Sequence, residues 1–386
     1  MGLRQPSVRS LRIEMVLPEL DAAGMEIMVA NLTLGLARRG HEVGVTCLEA
    51  DGPIAEELRA GGIRVAVVPT LGLRTILRPV RLAAWLRRVR PDVVHVHTGG
   101  WLKGARAARR VGGPRVVHTM HGRLDDERWY TLLLDRWAGR HTDRVVAVSE
   151  TLRQYLVGRV GLLAAQTTVI PNGIDTDLFR PGPRHAAWRA LLGIPDGAPV
   201  IGNVARLAAV KDHALLLDAF ALARKRVADA VLVVAGDGAL RQTLEAQVAE
   251  LRLTHAVRFL GETREVATLY REFDLLALSS KSEGTSISLL EAMASGVCVV
   301  ATAVGGTPAL LGEGRFGRLV PHGDPHALAA AFVDLLHDQR KRERLAAAAR
   351  DEVLAKYSLE AMLTAYEREY GWTTQRGRIP LGAEVS

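Results

Sequence analysis

The chain has 386 residues, 48% of them hydrophobic and 24% charged, which gives room for two hydrophobic cores and excludes a disordered chain. Its net charge of +8 sits in the first third: residues 1–120 carry 18 Lys/Arg against 10 Asp/Glu, and the remainder balances at 32 against 32. Aromatic residues are only 5% and do not interleave with the arginines, which argues against a nucleic-acid stacking platform.

No apolar run reaches the length of a membrane span, and Met1 to Glu14 lacks the apolar stretch of a secretion signal, so a cytoplasmic protein is expected. Pro6 stands where an N-myristoylation motif after Gly2 wants Ser or Thr, so no lipid is expected. Cys47 and Cys298 each lie in or beside an apolar strand-like run and read as reduced core cysteines.

Arg12 to Leu17 predicts a strand, followed by a Gly24 loop, a helix over Ile27 to Arg39 ended by Gly40, and a strand over Glu42 to Cys47. Glu19-Leu-Asp-Ala-Ala-Gly24-Met-Glu26 thus joins a strand to a helix, a geometry that lets a glycine approach an anion at the helix start. Further strands are expected at Arg64 to Val68, Val93 to His97, Arg115 to Thr119 and Arg144 to Val148, with helices between most of them: the rhythm of a parallel, doubly wound sheet. Six arginines and no acid lie between Arg74 and Arg90. With Pro79 in its first turn, a helix there places Arg81, Trp85 and Arg88 at i, i+4, i+7 beside an apolar face of Leu82, Leu86 and Val89. That pattern fits an interfacial helix on an anionic membrane and equally an arginine-rich surface helix. His95 and His97 share a strand face at metal-pair spacing without a third ligand and read as structural.

Pro171-Asn-Gly-Ile-Asp-Thr-Asp-Leu-Phe-Arg-Pro-Gly-Pro183 reads as a turn and interdomain connection, with a boundary near residue 178. Asp175-Thr-Asp177 has an Asp-x-Asp form, but at a junction rather than after a strand. A second strand series follows at Val200 to Val204, Ala230 to Ala235, Val257 to Leu260, Leu275 to Leu278 and Val297 to Ala301. Beyond Val204, Arg206 and Lys211 place two permanent cations in a strand-to-helix loop, a forked donor and a point charge suited to a diphosphate. Gly236-Asp-Gly238 reads as a tight turn.

The most informative stretch is Glu283-Gly-Thr-Ser-Ile-Ser-Leu-Leu-Glu291, continued by Ala292 to Gly296, a strand, and Thr302-Ala-Val-Gly-Gly-Thr-Pro308. Ser286 fits a helix cap, Ile287, Leu289, Leu290 and Met293 give a short helix, and Gly296 closes it. Backbone N–H groups at Gly284, Thr285, Ser286 and Ile287 would face an anion at the helix mouth, and the two carboxylates could hold hydroxyl groups beside it. The expected ligand is a sugar attached to a diphosphate. This stretch resembles the E-x₇-E signature of the retaining nucleotide-sugar glycosyltransferases of family 4, the group 1 transferases.

The resemblance implies an α/β GT-B fold: an acceptor-binding Rossmann-like domain over 1–178, a donor-binding one over 179–358, and a last helix at about 359–372 crossing back to the first. It implies retaining transfer from a nucleotide diphosphate sugar, UDP favoured over GDP, to a hydroxyl acceptor, lipid-linked or polysaccharide, in cell-envelope or exopolysaccharide biosynthesis. Arg206 and Lys211 would neutralise the leaving diphosphate without a metal or other cofactor, Glu291 would hold the ribose, Glu283 the transferred sugar, and His121, in His118-Thr-Met-His121-Gly122, would lie beside the anomeric carbon. His97 could line the acceptor side. Family members usually carry Gly-Gly where this chain has Ala23-Gly24, which puts a stiffer phosphate loop in place. The competing readings are a hydrolase or epimerase with His121 as base, a sugar-nucleotide-binding partner without catalysis, and a glycosidase using Glu283 and Glu291.

Overall fold

In the computed structural model the described residues are 10–21, 24–70, 72, 75, 76, 78–122, 129–263 and 265–371. Gly2, Pro6, Ala23, Arg74 and the tail from Thr373 lie outside them. Among the described residues thirteen strands form two sheets, one of seven strands in the order β3-β2-β1-β4-β5-β6-β7 and one of six in the order β10-β9-β8-β11-β12-β13. The first comprises β1 (Arg12–Leu17), β2 (Glu42–Cys47), β3 (Arg64–Val67), β4 (Val93–His97), β5 (Arg115–Met120), β6 (Arg144–Ala147) and β7 (Thr167–Val169). The second comprises β8 (Val200–Val204), β9 (Val231–Ala235), β10 (Val257–Gly261), β11 (Leu275–Leu278), β12 (Cys298–Thr302) and β13 (Arg318–Val320).

Every pairing within the two sheets is parallel. The physical cause is visible in the runs themselves: Val93-Val-His-Val-His97 and Val231-Leu-Val-Val-Ala235 are buried at every position, as strands covered by helices on both faces must be. In each sheet the strand order reverses at the first strand, between β1 and β4 and between β8 and β11. Ligands of such sheets bind beyond the strand carboxyl ends at that switch point. Gly24, Arg206, Lys211, Glu283 and His121 all follow strands at or next to it.

The edge strands β7 and β13, three residues each, were not among the expected strands. The helix Leu359–Glu369 returns to the first sheet as expected, placing Leu359, Met362, Leu363, Tyr366 and Tyr370 in one core cluster with β1, β2 and the helix Gly24–Arg38. A Cβ at Gly35 would stand 2.7 Å from Leu363, so glycine is what allows the two helices to meet. Arg39 and Arg144 fasten the helix through Glu367 and Glu369, each at 2.6 Å. The two chain crossings lie side by side: Ile174 pairs with Ser358, its amide donating to the Tyr357 carbonyl at 2.8 Å. Asp175 closes a local turn, accepting from the amides of Asp177 and Leu178 at 3.1 and 3.0 Å. Cys47 and Cys298 are free and buried, and burial pushes both thiols up to about 12.

Candidate active site

A cleft of about 1240 Å³ lies between the carboxyl ends of the two sheets. Gly24, His121, Arg206, Lys211, Glu283, Gly284, Thr285, Ser286, Ile287 and Glu291 all line it.

The segment Glu283–Ser286 is clamped from both sides. Behind it, the Gly306 amide donates to the Glu283 carbonyl at 3.0 Å. A Cβ at Gly305 would stand 1.9 Å from the Glu283 oxygen, and one at Gly306 2.2 Å from the Gly284 oxygen, so the Gly305-Gly306 pair admits a backbone approach that no side chain would allow. Gly305 also takes a left-handed φ of +53°. In front, the segment meets the first domain: Thr285 donates its hydroxyl to the Val148 carbonyl at 3.1 Å, and a Cβ at Gly284 would lie 3.1 Å from the His121 carbonyl. None of the amides of Gly284, Thr285 and Ser286 has a protein acceptor among the described residues.

The helix begins at Ile287 and runs to Ala294, with Ser286 at its cap position in extended backbone. The expected cap bond is not made. The Ser286 hydroxyl shares a 3.1 Å hydrogen bond with that of Ser288 instead, which leaves the first-turn amides without a side-chain acceptor.

Lys211 and Glu283 form an ion pair that was not expected from the sequence. Lys211 Nζ donates to Glu283 Oε1 at 2.6 Å, and the Ser280 hydroxyl donates to the same oxygen at 2.6 Å. The pair joins the ends of β8 and β11 at the switch point, with the Glu283 side chain only 7% exposed. Arg206 is exposed to the cleft. Its loop is built against Gly236-Asp-Gly238, which does more than turn the chain: the Leu207 amide donates to the Asp237 carbonyl at 2.9 Å, and a Cβ at Gly236 would stand 2.1 Å from the Ala205 oxygen.

Glu291 lines the cleft from the helix, and burial raises its carboxyl to about 7. The Tyr270 hydroxyl donates to its Oε2 at 2.8 Å and opposes that rise.

On the opposite wall, His121 Nε2 and His97 Nδ1 share a hydrogen bond at 3.0 Å. His97 is fully buried, so it supports His121 from behind rather than facing an acceptor. His95 is structural, as expected: its two nitrogens bond the Tyr370 and Thr119 hydroxyls, each at 2.8 Å. His118 stacks on Trp101 at 3.9 Å and donates from Nδ1 to the Val96 carbonyl at 2.9 Å. Burial holds His118 and His121 down at about 3 and lowers His95 and His97 well below the ordinary histidine value, so all four rings are neutral at pH 7. Gly24 faces Ile287 across the cleft, where an added Cβ would make an ordinary 3.9 Å contact.

The basic helix forms over Val80–Val89 with Arg81 and Arg88 exposed. Trp85 departs from the interfacial reading. Its indole N–H donates inward to the Thr46 hydroxyl at 2.9 Å, and its ring carries the Arg64 and Arg88 guanidinium groups at 5.3 and 5.7 Å. Among the described residues no helix is long and apolar enough to cross a membrane.

Two Rossmann-like domains with a nucleotide-sugar-type site at their switch points define a glycosyltransferase of GT-B architecture. The comparisons agree: residues 22–178 match the model for glycosyltransferase family 4, and residues 185–352 that for glycosyl transferases group 1. A D-inositol 3-phosphate glycosyltransferase of Corynebacterium urealyticum is 31% identical, the match covering 88% of each chain. The Mycobacterium bovis protein of the same name is also 31% identical, over 95% of this chain and 82% of its own. The chain belongs to the group 1 glycosyltransferase family. In fold it is similar to HepE of Anabaena, solved with UDP and glucose (TM-score 0.83, 23% identity, 94% of this chain and 99% of that one). It is likewise similar to WaaG, a glycosyltransferase involved in lipopolysaccharide biosynthesis (TM-score 0.70, 18% identity, 92% and 99%).

Proposed function

We propose that the chain is a retaining glycosyltransferase that moves a sugar from a UDP-sugar to a hydroxyl acceptor, the donor held by the second domain (179–358) and the acceptor by the first (1–178). The observation that carries this reading is the convergence of Arg206, Lys211, the amides of Gly284 to Ser286 and the carboxylates Glu283 and Glu291 on one cleft. The choice of UDP draws on HepE, which was solved with UDP-glucose.

In this reading Arg206, Lys211 and the backbone amides take the diphosphate, Glu291 the ribose hydroxyls and Glu283 those of the transferred sugar. Gly24 gives the first domain a close approach to the phosphates; nothing in the protein alone requires a glycine there. The anomeric C–O bond to the β-phosphate breaks, the diphosphate leaves with the electron pair, and the acceptor oxygen bonds the same face of the sugar. The acceptor proton passes to a departing phosphate oxygen. Neutral His121 acts as a hydrogen-bonding group beside the sugar rather than as an ionised acid. The two cationic side chains supply the charge that a metal would otherwise bring, so transfer proceeds without one.

The acceptor is lipid-linked or a growing polysaccharide of the cell envelope, a reading supported by the involvement of WaaG in lipopolysaccharide biosynthesis and by the basic first domain. Such an acceptor places the enzyme at the cytoplasmic face of the membrane, drawn there by exposed arginines such as Arg81 and Arg88 rather than by Trp85. The test is turnover: UDP-glucose with candidate acceptors, UDP release followed in the presence of a chelator, and the anomeric configuration of the product read by NMR. Product of inverted configuration, or acceptor-independent cleavage alone, would overturn the proposal.

A further inference from the structure

Tyr270 stands outside the candidate residues and does not line the cleft, yet it touches the site. It lies in the turn after the helix Val266–Leu269, is wholly buried, and meets Phe179 and Phe273 edge-on at 6.0 and 5.8 Å. Its hydroxyl is 2.8 Å from Glu291 Oε2 and 3.2 Å from the Ser288 carbonyl oxygen. A phenol has one proton, and the carboxylate is both the nearer and the stronger acceptor, so the bond goes to Glu291. Glu291 Oε1 has no protein donor among the described residues.

We propose that Tyr270 is a positioning residue for Glu291: its hydroxyl pins one carboxylate oxygen and leaves the other turned to the cleft, where it accepts from the ribose of the nucleotide sugar. The inference rests on the donor-site reading of Glu291. It makes donor binding depend on a buried phenol that no ligand reaches.

The consequence is measurable because Glu291 titrates near neutrality. Burial raises its carboxyl to about 7, and the Tyr270 hydrogen bond is the interaction that holds it from rising further. Other ionisable groups surround the helix that carries it. Arg206, Lys211 and Glu283 share the cleft, Arg350 of the packed helix Gln339–Lys356 donates to the Ala294 carbonyl at the helix end, and Cys298 lies in the adjoining β12. Burial keeps the phenol itself neutral, so it remains a donor.

Tyr270→Phe keeps the ring and its packing and removes only the hydroxyl. The probe is UDP-glucose, whose diphosphate has no titration of its own near neutrality, bound calorimetrically to the full chain from pH 5.5 to 8.5. For wild type, affinity should climb with pH about a midpoint near 7. In Tyr270→Phe the midpoint should move upward. A rise of about one unit would cut the ionised fraction at pH 7 from roughly one half to roughly one tenth, a fivefold loss of affinity that fades toward pH 8.5. KM for the donor should rise while kcat changes little, and Glu291→Gln should bind weakly with a flat pH profile. A Tyr270→Phe profile that superimposes on wild type at every pH, while Glu291→Gln still binds weakly, overturns the role of Tyr270 and spares the donor site. Failure of wild type to bind either UDP-glucose or GDP-mannose overturns both.

Discussion

Gly306→Ala isolates the clamp behind the Glu283–Ser286 segment. Gly306 has φ −80° and ψ −7°, a conformation alanine adopts freely, so backbone strain adds nothing. The new Cβ, however, would fall 2.2 Å from the Gly284 oxygen. Carbon–oxygen contacts settle at roughly 3.3–3.6 Å, so the segment or the Gly305-Gly306 turn must yield by about 1 Å. The 3.0 Å bond from the Gly306 amide to the Glu283 carbonyl lies in the same contact and weakens with it. Misplacement of a reacting group by about 1 Å can lower a rate on the order of 100-fold, whereas the folded core loses no more than about one hydrogen bond, roughly 1 kcal/mol. The assay pairs UDP-glucose titration and turnover with calorimetric melting. The expected variant melts within a few degrees of wild type, binds the donor at least about tenfold more weakly, and turns over about 100-fold more slowly. Gly306→Ala with wild-type kcat/KM would refute the claim that this glycine pair sets the position of the donor loop.

Lys211→Ala should lower kcat by about 100- to 1000-fold with a smaller effect on donor KM, since its charge matters most as the diphosphate leaves; wild-type turnover would remove it from the site. Acid should destabilise the first domain. In the unfolded chain His95, His97, His118 and His121 take up protons near pH 6.5, whereas burial keeps them neutral in the fold, the last two down to about 3. Their contribution is therefore complete above about 6.5 and lost as pH falls below it, at most about 1.4 kcal/mol per histidine per pH unit. Melting temperatures equal at pH 5 and pH 7.5 would contradict this. The double variant Arg81→Ala/Arg88→Ala should weaken sedimentation with anionic vesicles in a salt-sensitive way, while Trp85→Ala should act through stability because its indole is bonded to Thr46. Equal vesicle binding by the double variant would remove this helix as a membrane contact.

What the sequence disclosed follows from which signals are local. Fully buried parallel strands read as continuous apolar runs, and β2, β4, β8 and β11 fall on the residues expected for them. The three-residue edge strands β7 and β13 have too few residues to carry a pattern. The residues of the Glu283–Glu291 stretch, with Arg206, Lys211, His121 and Gly24, were legible because each sits where a strand ends and a helix begins, and the structure draws them to one cleft. Their partners were not legible. The ion pair from Lys211 to Glu283 spans 72 positions, the His97 bond to His121 spans 24, and that from Tyr270 to Glu291 spans 21, with nothing local to announce them. Gly236-Asp-Gly238 shows the same limit: its turn was readable, but its fit against the Arg206 loop depends on a backbone from another strand. Trp85 fell on the expected helix, yet which way an amphipathic indole turns is settled by Thr46 on a neighbouring strand.

The proposed function requires that the second domain bind a nucleotide diphosphate sugar through cationic side chains and backbone amides. Its most direct test is calorimetric binding of UDP, GDP and ADP to the wild-type chain, with magnesium and with a chelator. UDP should bind selectively, equally well under both conditions, and Glu291→Ala and an Arg206→Ala/Lys211→Ala double variant should each weaken it. Absence of binding by all three nucleotides, or binding that requires magnesium, would contradict it.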